Sequence, residues 1–266
     1  MTALTLSTAG AATLRADVLV VGVARSPKGG KGLVVAPGAE AVDKAFDGKL
    51  ATVLETLGAS GSEGEVTKVP SPSGLKAPVV LAVGLGTAPE KDETYDAEAL
   101  RRAAGVAARA LSGVKKAAFA LPIEAVEDAE AVAEGALLGA YAFTAYQSAK
   151  DGRGAKDAKG PLGEVALLGA KPRDKAYKAG AERAVALAEE INRARDLINT
   201  PPNDLYPESF AAIATAAGKE HGIKVQVLDE KALVKGGYGG ILGVGQGSER
   251  PAAGRYRHGK TPSVRL

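Results

Sequence analysis

Short apolar runs with little polar interruption recur along the first part of the chain, and they decide what kind of sheet it can build. Ala16 to Ala24 reads Ala-Asp-Val-Leu-Val-Val-Gly-Val-Ala, and Val79 to Val83, Lys116 to Leu121 and Val165 to Leu168 repeat the pattern. Runs this short, without alternation, are what strands buried on both faces look like. Helical stretches fall between them. Residues 40–57 place Val42, Ala45/Phe46, Leu50, Val53/Leu54 and Leu57 on one face. Ala97 to Leu111 reads as an Ala-rich helix and Val126 to Tyr146 as a long one, while Gly58 to Gly64 is a Gly/Ser turn. Strand and helix in alternation predict an α/β fold, a mixed but mostly parallel sheet with helices on both faces.

A different signal follows. Leu187, Ile191, Ala194 and Ile198 keep helical spacing up to Pro201-Pro202. Neither proline donates to a helical ladder, and each pushes its predecessor towards extended geometry. Asn203-Asp204 supplies the turn, and Pro207 suits the first position of a new helix. Residues 192–210 therefore form a helix, a rigid corner and a second helix. Beyond them, Pro207 to Gly218 reads as helix, Lys224 to Leu228 as strand and Glu230 to Val234 as one helical turn. The glycine cluster Gly236 to Gly240 precedes a strand-like Ile241 to Val244. From Arg250 on, five basic residues (Arg250, Arg255, Arg257, Lys260, Arg265) occur without an acid and apolar periodicity stops. Three segments are expected: an amino-terminal domain over 1–170, a connecting helix with the opening of a second, incomplete α/β domain over 171–250, and an aberrant basic tail over 251–266. Lys150 to Gly160, polar and Gly-rich, reads as a mobile hairpin or flexible insertion.

Composition removes several functions. With no cysteine there is no disulfide and no thiolate metal site, which fits a reducing cytosol. A net charge of +3 is too small to argue for nucleic acid, and no apolar stretch approaches the ~20 residues that cross a bilayer. The only histidines are His221, before Gly222 at a helix end, and His258, in the basic tail, so the usual nitrogen–sulfur zinc site lacks both its cysteines and a histidine pair. Gly84-Leu-Gly86 follows a strand, but Pro89 stands where a dinucleotide fingerprint needs its third glycine. Gly243-Val-Gly245-Gln-Gly247 lacks the Lys-Ser/Thr of a phosphate-cradling loop. Asp96-Ala97-Glu98 and Asp128-Ala129-Glu130 both open helices, where acids complement the helix dipole. No residue earns a catalytic, cofactor-binding or metal-binding role.

Arg-Asp-Leu-Ile-Asn-Thr-Pro-Pro-Asn-Asp-Leu at 195–205 resembles the joint of the leucyl aminopeptidase family, also called cytosol aminopeptidases, where the amino-terminal domain hands over to the catalytic one. Glu134 to Tyr146 and Gly239 to Ser248 agree in order and spacing. The resemblance implies an exopeptidase releasing amino-terminal residues, leucine preferred, with two divalent metal ions (Mn or Zn). It also implies peptide substrates, a hexamer and a cytoplasmic location. The family's metal ligands come from stretches like Gly-Lys-Gly-Ile-Thr-Phe-Asp-Ser-Gly-Gly and Asn-Thr-Asp-Ala-Glu-Gly-Arg, and neither occurs in these 266 residues. The two Asp-Ala-Glu copies lack the following Gly-Arg and precede the joint. The 266 residues alone are thus expected to be inactive. The alternative is a non-catalytic assembly, ligand-binding or DNA-binding module.

Overall fold

The computed structural model describes residues 2–27, 30–146 and 160–248. Two compact units divide it, Met1–Arg193 and Ala194–Leu266. Residues 147–159, which hold most of the expected polar insertion, and the basic tail from 249 lie outside the described residues.

In the first unit β1 (Ala3–Ser7), β2 (Val18–Arg25), β3 (Leu33–Val35), α1 (Glu40–Ala45), α2 (Leu50–Thr56), β4 (Val66–Pro70) and β5 (Val79–Thr87) come first. Then follow α3 (Ala97–Ala110), β6 (Lys116–Ala120), α4 (Val126–Gly139), β7 (Glu164–Leu168) and α5 (Lys175–Asn199). The sheet runs β1-β7-β6-β2-β5-β4, with β3 paired to β2. The β1–β7, β7–β6, β6–β2 and β2–β5 pairs are parallel, whereas β3 and β4 are antiparallel to their neighbours.

The uninterrupted apolar runs have a direct structural meaning, because successive side chains of a strand serve opposite faces. Val18 and Val20 of β2, Leu81 and Val83 of β5, and Ala117 and Phe119 of β6 pack on one side with α3 and α4. Leu19, Val21, Val80, Ala82, Ala118 and Ala120 pack on the other with Val42, Leu50 and Leu54 of α1 and α2. Both faces are dry, so alternation never shows in the sequence.

Small residues set the spacing of α3 and α4. A Cβ on Gly135 would lie 2.0 Å from the Arg101 carbonyl oxygen, and one on Gly139 would lie 2.1 Å from that of Gly105. The two backbones touch, and Ala103, Ala104, Ala107, Ala133 and Ala136 are buried around the contact. Helix α5 continues this layer. Its buried residues are Tyr177, Gly180, Ala184 and Ala188, and Tyr177 and Ala184 join the core beneath α3 and α4.

Four expectations change. The helix expected over residues 40–57 is two, because Asp47 (φ 56°) and Gly48 (φ 72°) take left-handed backbone between them. The Asp43 carboxylate then accepts the Leu50 amide at 3.0 Å and opens α2. The helix expected to reach Tyr146 ends at Gly139. Strands expected at Lys224–Leu228 and Ile241–Val244 do not form. Residues 223–229 are irregular, and Gly239–Gly245 is a helix, α8. A strand needs a neighbour for its amides and carbonyls, and the described residues of the second unit contain no strand. That unit holds the end of α5, α6 (Pro207–Glu220), α7 (Glu230–Lys235) and α8.

Ion pairs tie elements of the first unit together. Arg183 of α5 makes a bidentate pair with Glu130 of α4. Lys116 of β6 donates to Glu164 of β7 at 2.8 Å, and Thr5 of β1 donates to the same carboxylate at 3.0 Å. The Arg183 hydrogen bonds hold the Glu130 carboxyl below its usual value of 4.5, and the Lys116 hydrogen bond does the same for Glu164. A carboxyl depressed by folding stabilises the native state fully above its unfolded pKa, and that share is lost as pH falls through the folded value. The unit should therefore weaken steadily below about pH 4.5. In urea titrations at neutral pH and at about pH 3.5, Glu130→Gln and Glu164→Gln should unfold earlier at neutral pH. They should also lose less than the parent on acidification. Equal acid sensitivity in all three proteins would contradict the assignment.

Candidate functional site

The double-proline corner is built as its residues dictate. Helix α5 stops at Asn199, where the Thr200 amide and hydroxyl both donate to the Asp196 carbonyl (3.0 and 2.6 Å). Pro201 and Pro202 break the ladder, and the Asp204 and Leu205 amides turn back onto the Pro201 carbonyl. Tyr206 is extended (ψ 172°), Pro207 takes the first helical position, and the Ser209 hydroxyl accepts the Tyr206 amide at 2.9 Å. The amides of Asp204, Leu205 and Tyr206 thus find local acceptors. Two adjacent prolines fix φ at the turn and restrict the residues before them.

Of the acids in the two Asp-Ala-Glu copies, Glu98, Asp128 and Glu130 have structural partners, whereas the Asp96 side chain makes no cap hydrogen bond. Asp96 is the residue before α3, and Glu98 in the first turn binds Arg101 and Arg102 at 2.6 and 2.8 Å. Arg101 also reaches Glu134 at 2.8 Å, across to α4. Asp128 accepts the amides of Glu124 and Ala125, both at 2.9 Å, and so caps α4. Glu130 holds Arg183. His221 closes α6, followed by Gly222 with φ 68°. Among the described residues no three His, Cys, Asp or Glu side chains gather into a group that could hold a metal ion. The described residues therefore do not fit a two-metal centre by themselves.

Gly84-Leu-Gly86 is explained by packing. A Cβ on Gly84 would sit 1.9 Å from the Ser62 carbonyl oxygen, and Gly86 has φ 85°. The turn over residues 58–65 lies directly on the end of β5, where Gly64 donates to the Gly84 carbonyl and Gly86 to that of Gly61. The Glu65 carboxylate gathers the Ser60 amide and hydroxyl and the Ser62 amide. Burial pushes the Glu65 carboxyl up, but the donors of Ser60, Gly61 and Ser62 outweigh it and leave the pKa lowered. Sequence alone did not show this turn as the reason for the glycines.

One concavity in the first unit, of about 650 Å³, opens between β1 and α5. Leu4, Leu6, Ala181 and Val185 line it, and Lys178 and Glu182 (3.9 Å apart) stand at its side. It contains no group prepared for chemistry. No helix among the described residues is long and apolar enough to cross a membrane.

Residues 20–150 match the profile of the cytosol aminopeptidase family's N-terminal domain, and residues 192–263 match that of its catalytic domain. A probable cytosol aminopeptidase of Streptomyces griseus is 77% identical over 257 residues, covering 94% of this chain and 49% of that protein. One from Rhodococcus opacus is 48% identical over 245 residues, covering 92% and 46%. Among solved structures, the bottromycin maturation enzyme BotP in complex with Mn is 29% identical with a TM-score of 0.64, over 93% of this chain and 46% of BotP. A mutant of tomato leucine aminopeptidase has a TM-score of 0.73 over 97% and 50% of the two chains. At 18% identity it speaks for the fold alone. The chain spans about half the length of the curated relatives it matches.

Proposed function

The chain belongs to the cytosol aminopeptidase family, and we propose that its 266 residues are the frame of a two-metal exopeptidase whose metal ligands lie outside them. One observation carries this reading: the amino-terminal and catalytic profiles match in family order, on either side of the Pro201-Pro202 corner. The substrates proposed are peptides with a free amino terminus, leucine preferred, and the cations are divalent. Manganese is favoured because BotP, at 29% identity, is described with Mn. A cytoplasmic location accords with the names of the relatives, and a hexamer is proposed from the family resemblance. Within the chain, residues 1–170 are assigned to the amino-terminal domain, 171–250 to the connecting helix and opening of the catalytic domain, and 251–266 to a basic tail that the catalytic-domain match enters as far as residue 263. The profile matches favour this reading over a free-standing binding module.

The test is reconstitution. The purified chain is mixed with a polypeptide made of the part of the Streptomyces griseus relative that the match leaves out, and hydrolysis of a leucine anilide is followed. Turnover should appear only in the mixture, require a divalent cation and vanish on chelation. Turnover by the chain alone, or none in the mixture, would count against the frame reading.

A further inference from the structure

The two edges of the sheet in the first unit are not alike. Strand β4 at one edge carries Lys68 and ends in Pro70, both exposed. A lysine opposes an added strand and a proline offers it no amide, which is how sheet edges are commonly kept from pairing. Strand β1 at the other edge has neither. It reads Ala-Leu-Thr-Leu-Ser, without a charge or a proline. The Ala3 amide donates to the Gly163 carbonyl, so Ala3, Thr5 and Ser7 turn their backbone polar groups towards β7. Those of Leu4 and Leu6 point the other way, where no strand among the described residues takes them up.

The surface beside this edge is self-complementary. Leu4 and Leu6 line the concavity of about 650 Å³ between β1 and α5. Along the α5 wall a lysine, Lys178, stands at one end and a glutamate, Glu189, at the other, with Ala181 and Val185 between them. Antiparallel pairing of β1 with its own copy, about a twofold axis at Thr5, sets each Leu4 opposite Leu6 of the other copy. Those two positions then exchange four backbone hydrogen bonds, and Thr5 meets Thr5 at a position without them. The four leucines merge the two concavities into one apolar stripe. Reversal of direction also brings Lys178 of each α5 towards Glu189 of the other.

We propose that β1 is a pairing edge for a second copy of this chain, two sheets joining through antiparallel β1 strands with Lys178 of each copy facing Glu189 of the other. Any extended polypeptide would satisfy the Leu4 and Leu6 backbone. A second copy also answers the charges, because the same α5 supplies the lysine and the glutamate. The contact is small, so the dimer is weak and reversible. It concerns the first unit alone and stands apart from the exopeptidase reading.

The 266 residues contain no cysteine, so a single introduced thiol reports the geometry. On mild oxidation Thr5→Cys should give a disulfide-linked dimer, since opposed Cβ atoms at such a position lie within reach of a disulfide. Lys68→Cys, on the guarded edge, should cross-link only slowly. Adding Lys178→Glu to Thr5→Cys should slow cross-linking about ten-fold, because the twofold turns two attractions into two repulsions. Adding Glu189→Lys as well should restore the Thr5→Cys rate, which a merely structural role for either residue would not do. Positions 5 and 178 are exposed, so these changes leave the core intact. Equal rates for Thr5→Cys and Lys68→Cys, no slowing by the charge reversal, or no recovery in the exchanged pair would overturn the proposal. Binding of an unrelated extended peptide at β1 without cross-linking of Thr5→Cys would give the edge to another occupant and overturn it too.

Discussion

Gly135→Ala/Gly139→Ala should unfold the first unit some 10–20 °C below the parent protein. On propensity alone the change would stabilise, since alanine is favoured over glycine in a helix interior by about 1 kcal/mol. The geometry reverses the sign. The new Cβ atoms would stand 2.0 Å from the Arg101 carbonyl oxygen and 2.1 Å from that of Gly105. The obstacles are backbone atoms of the opposing helix, which cannot rotate away as a side-chain tip can. Overpacking of this kind costs about 1–3 kcal/mol per site and occasionally more, against a total stability of about 5–15 kcal/mol. Calorimetric or circular-dichroism melting reads the result. An unchanged or higher Tm would mean that α3 and α4 separate freely and that the glycines are incidental.

Gly84→Val should destabilise by about 2–4 kcal/mol. Valine is a strand former, so a propensity argument again expects the opposite. The Ser62 carbonyl oxygen 1.9 Å from the added Cβ decides the matter. To admit valine, the turn over residues 58–65 must lift off β5 and give up the Gly64–Gly84 and Gly86–Gly61 hydrogen bonds. Gly61 (φ 71°) cannot follow easily, because its own missing side chain makes room for the Ala24 and Arg25 backbone, 2.8 Å from an ideal Cβ. Urea unfolding would show the loss as an earlier midpoint. A midpoint equal to the parent's would place the turn elsewhere in solution.

These glycines mark the limit of what the sequence made legible. The four apolar runs located β2, β5, β6 and β7, because burial on both faces leaves no polar interruption to obscure them. The edge strands were missed. Leu4 and Leu6 alternate with Ala3, Thr5 and Ser7, and Val66 and Val69 flank Thr67 and Lys68. Half-exposed strands this short carry few apolar residues. Helical spacing found α5 but misplaced its contacts. The stripe from Leu187 to Ile198 has exposed members, Ile198 at 83%, whereas the buried positions are Tyr177, Gly180, Ala184 and Ala188. Periodicity reports a helix and does not report its partner. Asp47-Gly48 is a turn signal inside residues 40–57, hidden by an apolar face that continues on both sides of it. For the candidate site, the Asp-Ala-Glu copies were legible as first-turn acids. What they hold was not, because Arg183 lies 53 residues from Glu130.

If the metal ligands lie outside these 266 residues, as proposed, the most direct test is hydrolysis by the purified chain alone. A leucine anilide is offered with added Mn²⁺ and then with a chelator. The frame reading predicts no turnover in either condition. Chelator-sensitive turnover would contradict it, and would require Asp96 to be reconsidered as a ligand together with Glu98, Asp128 and Glu130, in place of the helix cap and ion pairs assigned to those three.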